Sequence, residues 1–139
     1  MNLAKRKQLM SLSARNTEAL GKVFWRLADE YSLSSKQIAI ILDVTPAQVS
    51  NLRRSLKIPQ KAEAYTRVGQ LLGIKKCLEI QYPVNPAVKS AWLGKQREIF
   101  QNKSAIEFIT EDVFQTGLRL FQVRRLMDLW RVGTIPELV

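Results

Sequence analysis

The segment from Asp43 to Ser55, DVTPAQVSNLRRS, combines small polar side chains, two amides and two adjacent arginines. These groups can do the chemistry of recognition through hydrogen bonds. An asparagine amide can bond both polar atoms of an adenine edge, and an arginine can bond guanine or a phosphate. If the segment is helical, its outer face carries the short side chains in the middle and the longer ones beside them. That face comprises Ala47, Ser50, Asn51 and Arg54, flanked by Gln48 and Arg53.

Two capping boxes predict where the helices of this region begin. In Ser34–Gln37 and Thr45–Gln48, a hydroxyl can accept from a free backbone N–H while the glutamine side chain reaches back to the cap. Pro46 stands at the first helical position, where its missing N–H costs nothing. The sequence therefore predicts two short helices, 34–42 and 45–56, joined by a tight turn and sharing one core.

A helix-turn-helix of this kind leaves one face of its second helix free. Backbone N–H groups at the start of that helix can meet a phosphate, and short side chains allow close approach to base edges. We therefore predict that the second helix enters the major groove of double-stranded DNA. The predicted DNA-binding residues are Thr45, Pro46, Ala47, Gln48, Ser50, Asn51, Arg53 and Arg54.

Charge and composition favour a polyanionic partner over catalysis. The net charge is +10, and residues 1–61 contribute +7 of it. The chain has no histidine, no glycine-rich phosphate loop and a single cysteine, so the usual parts of an enzyme, a metal site or a cofactor site are missing. We expect a cytoplasmic protein, because a lone cysteine suits a reducing compartment and no apolar run spans a membrane. The basic run 5–7 is read as a solvated terminus, with a DNA-contacting arm as the alternative.

The remaining helix caps and helix-breaking residues predict an all-α protein in two parts. We expect a frayed helix over residues 2–13, one capped by Thr17, and a longer one over 62–80. Pro83 and Pro86 suggest a boundary, which gives a DNA-binding domain over 1–82 and a small helical domain over 83–139. The second part should contain short helices, a long one over 110–132 and a free tail, TIPELV. Glu111 and Asp112 are read as acids in the first turn of that long helix.

The segment LSSKQIAIILDVTPAQVSNLRR, residues 33–54, resembles the Xre-type helix-turn-helix family. Asp43 stands where that family often has glycine, and aspartate tolerates the left-handed conformation better than most residues. Trp92-Leu93 and the segment AIEFI, residues 105–109, are similar to the C-terminal signature of the Xre/MbcA/ParS antitoxins. This resemblance implies a homodimer that represses its own operon at a palindromic site. It also implies a C-terminal domain that neutralises a partner toxin, often a RES-type enzyme that consumes NAD.

The resemblance and the charge pattern of the last helix suggest where a toxin would bind. The predicted contacts are Trp92, Arg124, Arg125, Arg131 and the terminal Val139. The plainer alternative is that the tryptophan packs in the core and the arginines complement the helix dipole. A stand-alone transcriptional regulator whose C-terminal half only dimerises is the rival function.

Overall fold

The computed structural model describes residues 2–139, apart from the side chains of residues 6–15, so the predicted arm at 5–7 lies largely outside the description. Within this range the chain is helical and contains no β-strand, which confirms the predicted all-α class. The helices are α1 (Leu3–Glu30), α2 (Ser35–Leu42), α3 (Pro46–Ser55), α4 (Ala62–Gln81), α5 (Pro86–Gly94), α6 (Ala105–Thr110) and α7 (Thr116–Val132), with short 3-10 turns at Glu98–Phe100 and Pro136–Leu138.

Two predicted helix boundaries are wrong. The N-terminal helix is continuous from Leu3 to Glu30, and Thr17 lies inside it, where its hydroxyl bonds that of Tyr65 at 3.3 Å. The predicted helix over 110–132 is divided, because Asp112 accepts a hydrogen bond from the Phe114 N–H at 3.0 Å and forms a turn before α7. Glu111 therefore lies outside the first turn of α7, and its carboxylate bonds Lys103 and Arg119, which lower its pKa.

Helix α4 lies at the centre of the molecule, in contact with α1, α2 and α7. Residues of α4 contact residues of α7 in the same order along both helices. Arg67 lies beside Gly117, the Arg124 guanidinium lies over Gly73, and the Cys77 thiol bonds Asp128 at 3.4 Å. The two helices are therefore parallel neighbours over most of their length, although about fifty residues separate them in sequence.

The predicted division at residues 82 and 83 does not divide the core. Buried side chains form one cluster that runs from Phe24 through α2 and α4 to α7 and Leu138. Contacts of α2 with α6 and with α7 join the two predicted parts directly. The proline-rich turn after α4 thus changes the direction of the chain without separating two independent cores.

The C-terminal tail, predicted to be free, folds back on its own half of the molecule. Leu138 is buried, and its carbonyl oxygen accepts from the indole N–H of Trp92 at 2.6 Å. Trp92 is also stacked on Trp130 and lies under the guanidinium of Arg97, 4.3 Å from the ring centre. These contacts fix the tail against α5.

Two buried arginines hold helix ends through backbone carbonyls. The Arg67 guanidinium donates to the carbonyls of Ile40 and Ile41 at the end of α2, at 3.1 and 3.4 Å, and to Glu63 at 2.8 Å. Arg97 donates to the Trp92 and Lys95 carbonyls at the end of α5. Carbonyls in the last turn of a helix lack the usual intrahelical partners, and each arginine adds to the capping bonds that Ile40 and Trp92 accept from the backbone N–H groups of Asp43 and Lys95. Arg67 thereby ties α2 to α4.

We predict that a fragment of residues 1–82 loses cooperative folding. Without α7, the inner face of α4 would expose apolar side chains such as Leu71, Ile74 and Leu78, which are fully buried in the intact chain. The intact protein should show one cooperative thermal transition by circular dichroism, and the fragment should show a broad, low-amplitude one. A sharp transition in the fragment would instead support two separate modules.

Candidate nucleic-acid interface

The start of α3 is fixed by the capping box that its sequence predicts. The Thr45 hydroxyl accepts from the Gln48 N–H at 3.2 Å, and the Gln48 side-chain oxygen accepts from the Thr45 N–H at 2.8 Å. Ser34 and Gln37 form the same pair of bonds at the start of α2. Asp43, between the helices, has the left-handed conformation with φ 54° and ψ 56°, as its residue type allows.

Helix α3 is attached to the core by a narrow side. Val49 is its one buried residue, and Leu52 is half-buried against the same core. This attachment leaves the polar side in solvent. The eight predicted DNA-binding residues are all exposed: Thr45, Pro46, Ala47, Gln48, Ser50, Asn51, Arg53 and Arg54.

Arg53 is less available to a ligand than its neighbour. Its guanidinium bonds the Asp29 carboxylate at 2.8 Å and lies over the ring of Trp25, 5.0 Å from its centre. The Trp25 indole N–H in turn donates to the Lys57 carbonyl at 2.8 Å, which secures the chain after α3 to α1. Arg54 has no ion pair among the described residues. Arg54 is therefore the more available of the two arginines for a phosphate or a base.

A lysine that sequence reasoning missed lies beside the polar face of α3. Lys61 lines a shallow cleft together with Gln48 and Asn51, because the chain turns back at Pro59 before α4 begins. Lys61 is exposed and has no ion pair among the described residues. Its position next to the polar face of α3 suits a phosphate contact. The break at Pro59 was the signal in the sequence, but the direction of the turn was not readable from it.

The predicted toxin contacts do not form a single cluster. Trp92 is 3% exposed and belongs to the core, so it cannot contact a partner directly, and this part of the prediction is wrong. Arg124 is half-buried and bonds both oxygens of Asp128 at 3.2 Å. Arg125 and Arg131 are exposed on α7, and Val139 is exposed although the residue before it is buried.

The Cys77 thiol is buried and bonded to Asp128. Burial, and then the hydrogen bond to Asp128, raise the pKa of the Cys77 thiol, which disfavours a reactive thiolate. No group of three or more acidic or cysteine side chains in the described part of the chain could hold a metal ion. Among the described helices, none is long and apolar enough to cross a membrane.

No model of a known protein family matches the chain. Comparisons with curated proteins and with solved structures likewise give no significant match. The resemblance to the Xre/MbcA/ParS antitoxins therefore rests on the residues quoted above.

We predict that the two arginines of α3 differ in their effect on stability. Arg53→Ala should lower the free energy of unfolding by about 0.5–1.5 kcal/mol, because it removes a half-exposed ion pair and the contact with Trp25. Arg54→Ala should stay within about 0.5 kcal/mol of the parent protein, as expected for a surface substitution. Urea denaturation of both variants gives the comparison. Equal effects would contradict the different roles assigned to them.

Proposed function

We propose that the chain is a DNA-binding protein that uses α2 and α3 as a helix-turn-helix and α3 as its recognition helix. The observation that carries the proposal is the exposed polar face of α3, which has a capped start and which the core does not use. A polar outer face is ordinary for a surface helix, and α3 is distinguished by having Val49 as its one buried residue. The surplus of positive charge in residues 1–61 supports the same partner.

The face divides into groups suited to phosphates and groups suited to bases. The Ala47 N–H, which the capping box leaves unbonded, together with Arg54 and Lys61 suits the backbone on either side of a groove. Asn51 suits an adenine edge, while Ala47 and Ser50 are short enough to let the helix axis approach the bases. Gln48 can reach DNA only with its amide NH₂, because its oxygen is held by the cap. Asn51 is thus the main candidate for sequence recognition.

We predict that Asn51→Ala relaxes base preference at one position. A preferred duplex would first be selected from a randomised pool with the intact protein, and affinities measured by fluorescence anisotropy. The variant should lose about 1–3 kcal/mol on that duplex and little on unrelated DNA. Arg54→Ala should weaken all duplexes alike and reduce the salt slope by about 1.

Asn16→Ala, which changes an exposed asparagine of α1, is the matched control and should bind as the parent protein does. Selection that enriches no sequence, or an Asn51→Ala variant with unchanged preference, would contradict the assignment of α3.

We further propose that the protein is the antitoxin of a toxin–antitoxin pair, and that it represses its own operon as a homodimer on a palindromic site. The support is the resemblance to the Xre/MbcA/ParS antitoxins and the exposed apolar turn before α7. Phe114 is 92% exposed and Val113 is 51% exposed, which suits a protein partner. The proposed partner is a RES-type, NAD-consuming toxin, with Arg131 and Val139 among its contacts. The second candidate is a stand-alone regulator whose C-terminal half only dimerises. The exposed apolar side chains of α7, such as Phe121 and Val132, favour this candidate because they could form a dimer contact.

We predict that Phe114→Asp abolishes neutralisation of the adjacent gene's product without disturbing the fold. The side chain is almost fully exposed, so the change removes a contact surface and no core packing. The measurement is growth and cellular NAD on co-expression. Val84→Asp is the matched control, because Val84 is equally exposed, at 89%, and lies at a different turn.

If the product of the adjacent gene is not toxic and does not co-purify with this protein, the result would favour the stand-alone regulator. A variant ending at Gly133 is unsuitable for this test, because it removes the buried Leu138 and the acceptor for Trp92.

A further inference from the structure

The side of α7 that faces away from the core is unusually apolar. Its inner side carries the buried Leu120, Val123 and Met127. Its outer side carries four large apolar side chains that are at least 49% exposed: Leu118, Phe121, Leu129 and Val132. At 3.6 residues per turn these four fall within an arc of about 80°. We call this set, together with Arg125 and Asp128, the outer face of α7. One apolar side is enough to pack α7 on the core, so the second apolar side has no packing partner among the described residues.

The order of residues on the outer face is self-complementary. Phe121, Arg125, Asp128 and Val132 are separated by four, three and four residues, so the spacing is the same in both directions. Reversing the helix places apolar opposite apolar and exchanges the arginine with the aspartate. Two antiparallel copies would thus bring Phe121 against Val132 and Arg125 against Asp128, each twice. A two-fold axis between residues 126 and 127 relates the two copies.

The charges on this face are available for such a pairing. Arg125 is exposed and has no ion pair among the described residues. The Asp128 side chain is 45% exposed, and its carboxylate accepts hydrogen bonds from Arg124 and Cys77 of its own chain. A carboxylate has about four lone-pair sites, so Asp128 can accept a further bond from outside. A parallel pair would place arginine against arginine and aspartate against aspartate, which is unfavourable.

We propose that a second copy of this chain occupies the outer face of α7, and that the protein forms an antiparallel α7–α7 dimer. Three of the four apolar side chains are already about half covered and Val132 is 86% exposed, so pairing would remove on the order of 1,000 Å² of surface in total, near the lower limit for specific interfaces. Interfaces of this size are typical of weak, transient complexes, so we expect a dissociation constant in the micromolar range. The proposal does not depend on DNA binding, because the face lies on α7 and not on α3.

The test is sedimentation of the intact protein between about 1 and 100 μM, a range that brackets micromolar dissociation constants. The parent protein should pass from monomer to dimer as its concentration rises. Arg125→Glu and Asp128→Lys should each weaken the dimer tenfold or more, because each sets two like-charged pairs against one another across the two-fold axis. An equimolar mixture of the two variants should dimerise again, since every pair in the mixed dimer is of opposite charge.

Arg131→Glu is the matched control, because it makes the same charge change on the same helix but off this face, and it should dimerise as the parent does. Asp128→Lys also removes the acceptor of Arg124, so circular dichroism must show that it is folded. Val132→Asp gives a second route that avoids this contact, since Val132 is 86% exposed. It should abolish the dimer while Val84→Asp leaves it unchanged.

Three results would overturn the proposal. The first is a parent protein that stays monomeric over the whole range, which would leave the face to a different partner. The second is a dimer that Arg125→Glu or Val132→Asp does not weaken. The third is a mixture of folded charge variants that remains monomeric, which would exclude the antiparallel register.

Discussion

The contact between α4 and α7 is the constraint on which the rest of the structure depends. Both helices bury a full side against the common core, and they run parallel although their residues are far apart in sequence. Gly73 has a local part in this contact. A Cβ atom at that position would lie 1.7 Å from the Arg124 guanidinium, so the glycine leaves room for this guanidinium against α4 while its Nε bonds Asp128 on α7. Without α7, α4 would have no cover for its inner face, and α2 would lose its neighbours on α6 and α7.

The proposed DNA-binding face is linked to that contact through one buried cation. Val49 and Leu52 give α3 little area on the core, so its position depends on α2 and on the contact of Arg53 with α1. Helix α2 is held at its end by Arg67 of α4 through the carbonyls of Ile40 and Ile41. The path from the outer face of α7 to the polar face of α3 thus passes through packed helices and a hydrogen-bonded arginine. If both proposals hold, an α7 dimer would set a fixed distance between two recognition helices, as a palindromic site requires.

Buried arginines in this protein serve helix ends more than carboxylates. Arg67 and Arg97 each donate to carbonyls at the end of a helix that has no basic residue in its last turn. Burial lowers the pKa of Arg97, and the stacked ring of Trp92 partly compensates for the lost water. This arrangement explains why Trp92 is part of the core. It anchors the tail and the turn after α5.

The sequence alone determined the features that depend on neighbouring residues. The two capping boxes, the left-handed Asp43, the exposed polar side of α3 and the all-α class follow from hydrogen bonds and helical periodicity within a few residues. Tertiary structure decided what depends on residues far apart. Asp29 forms an ion pair with Arg53, Lys61 lies beside Asn51, and the Trp92 indole bonds the Leu138 carbonyl. None of these pairs has a local signal in the sequence. The same holds at Pro83: a proline shows where a helix stops, but only packing decides whether the next helix returns to the same core.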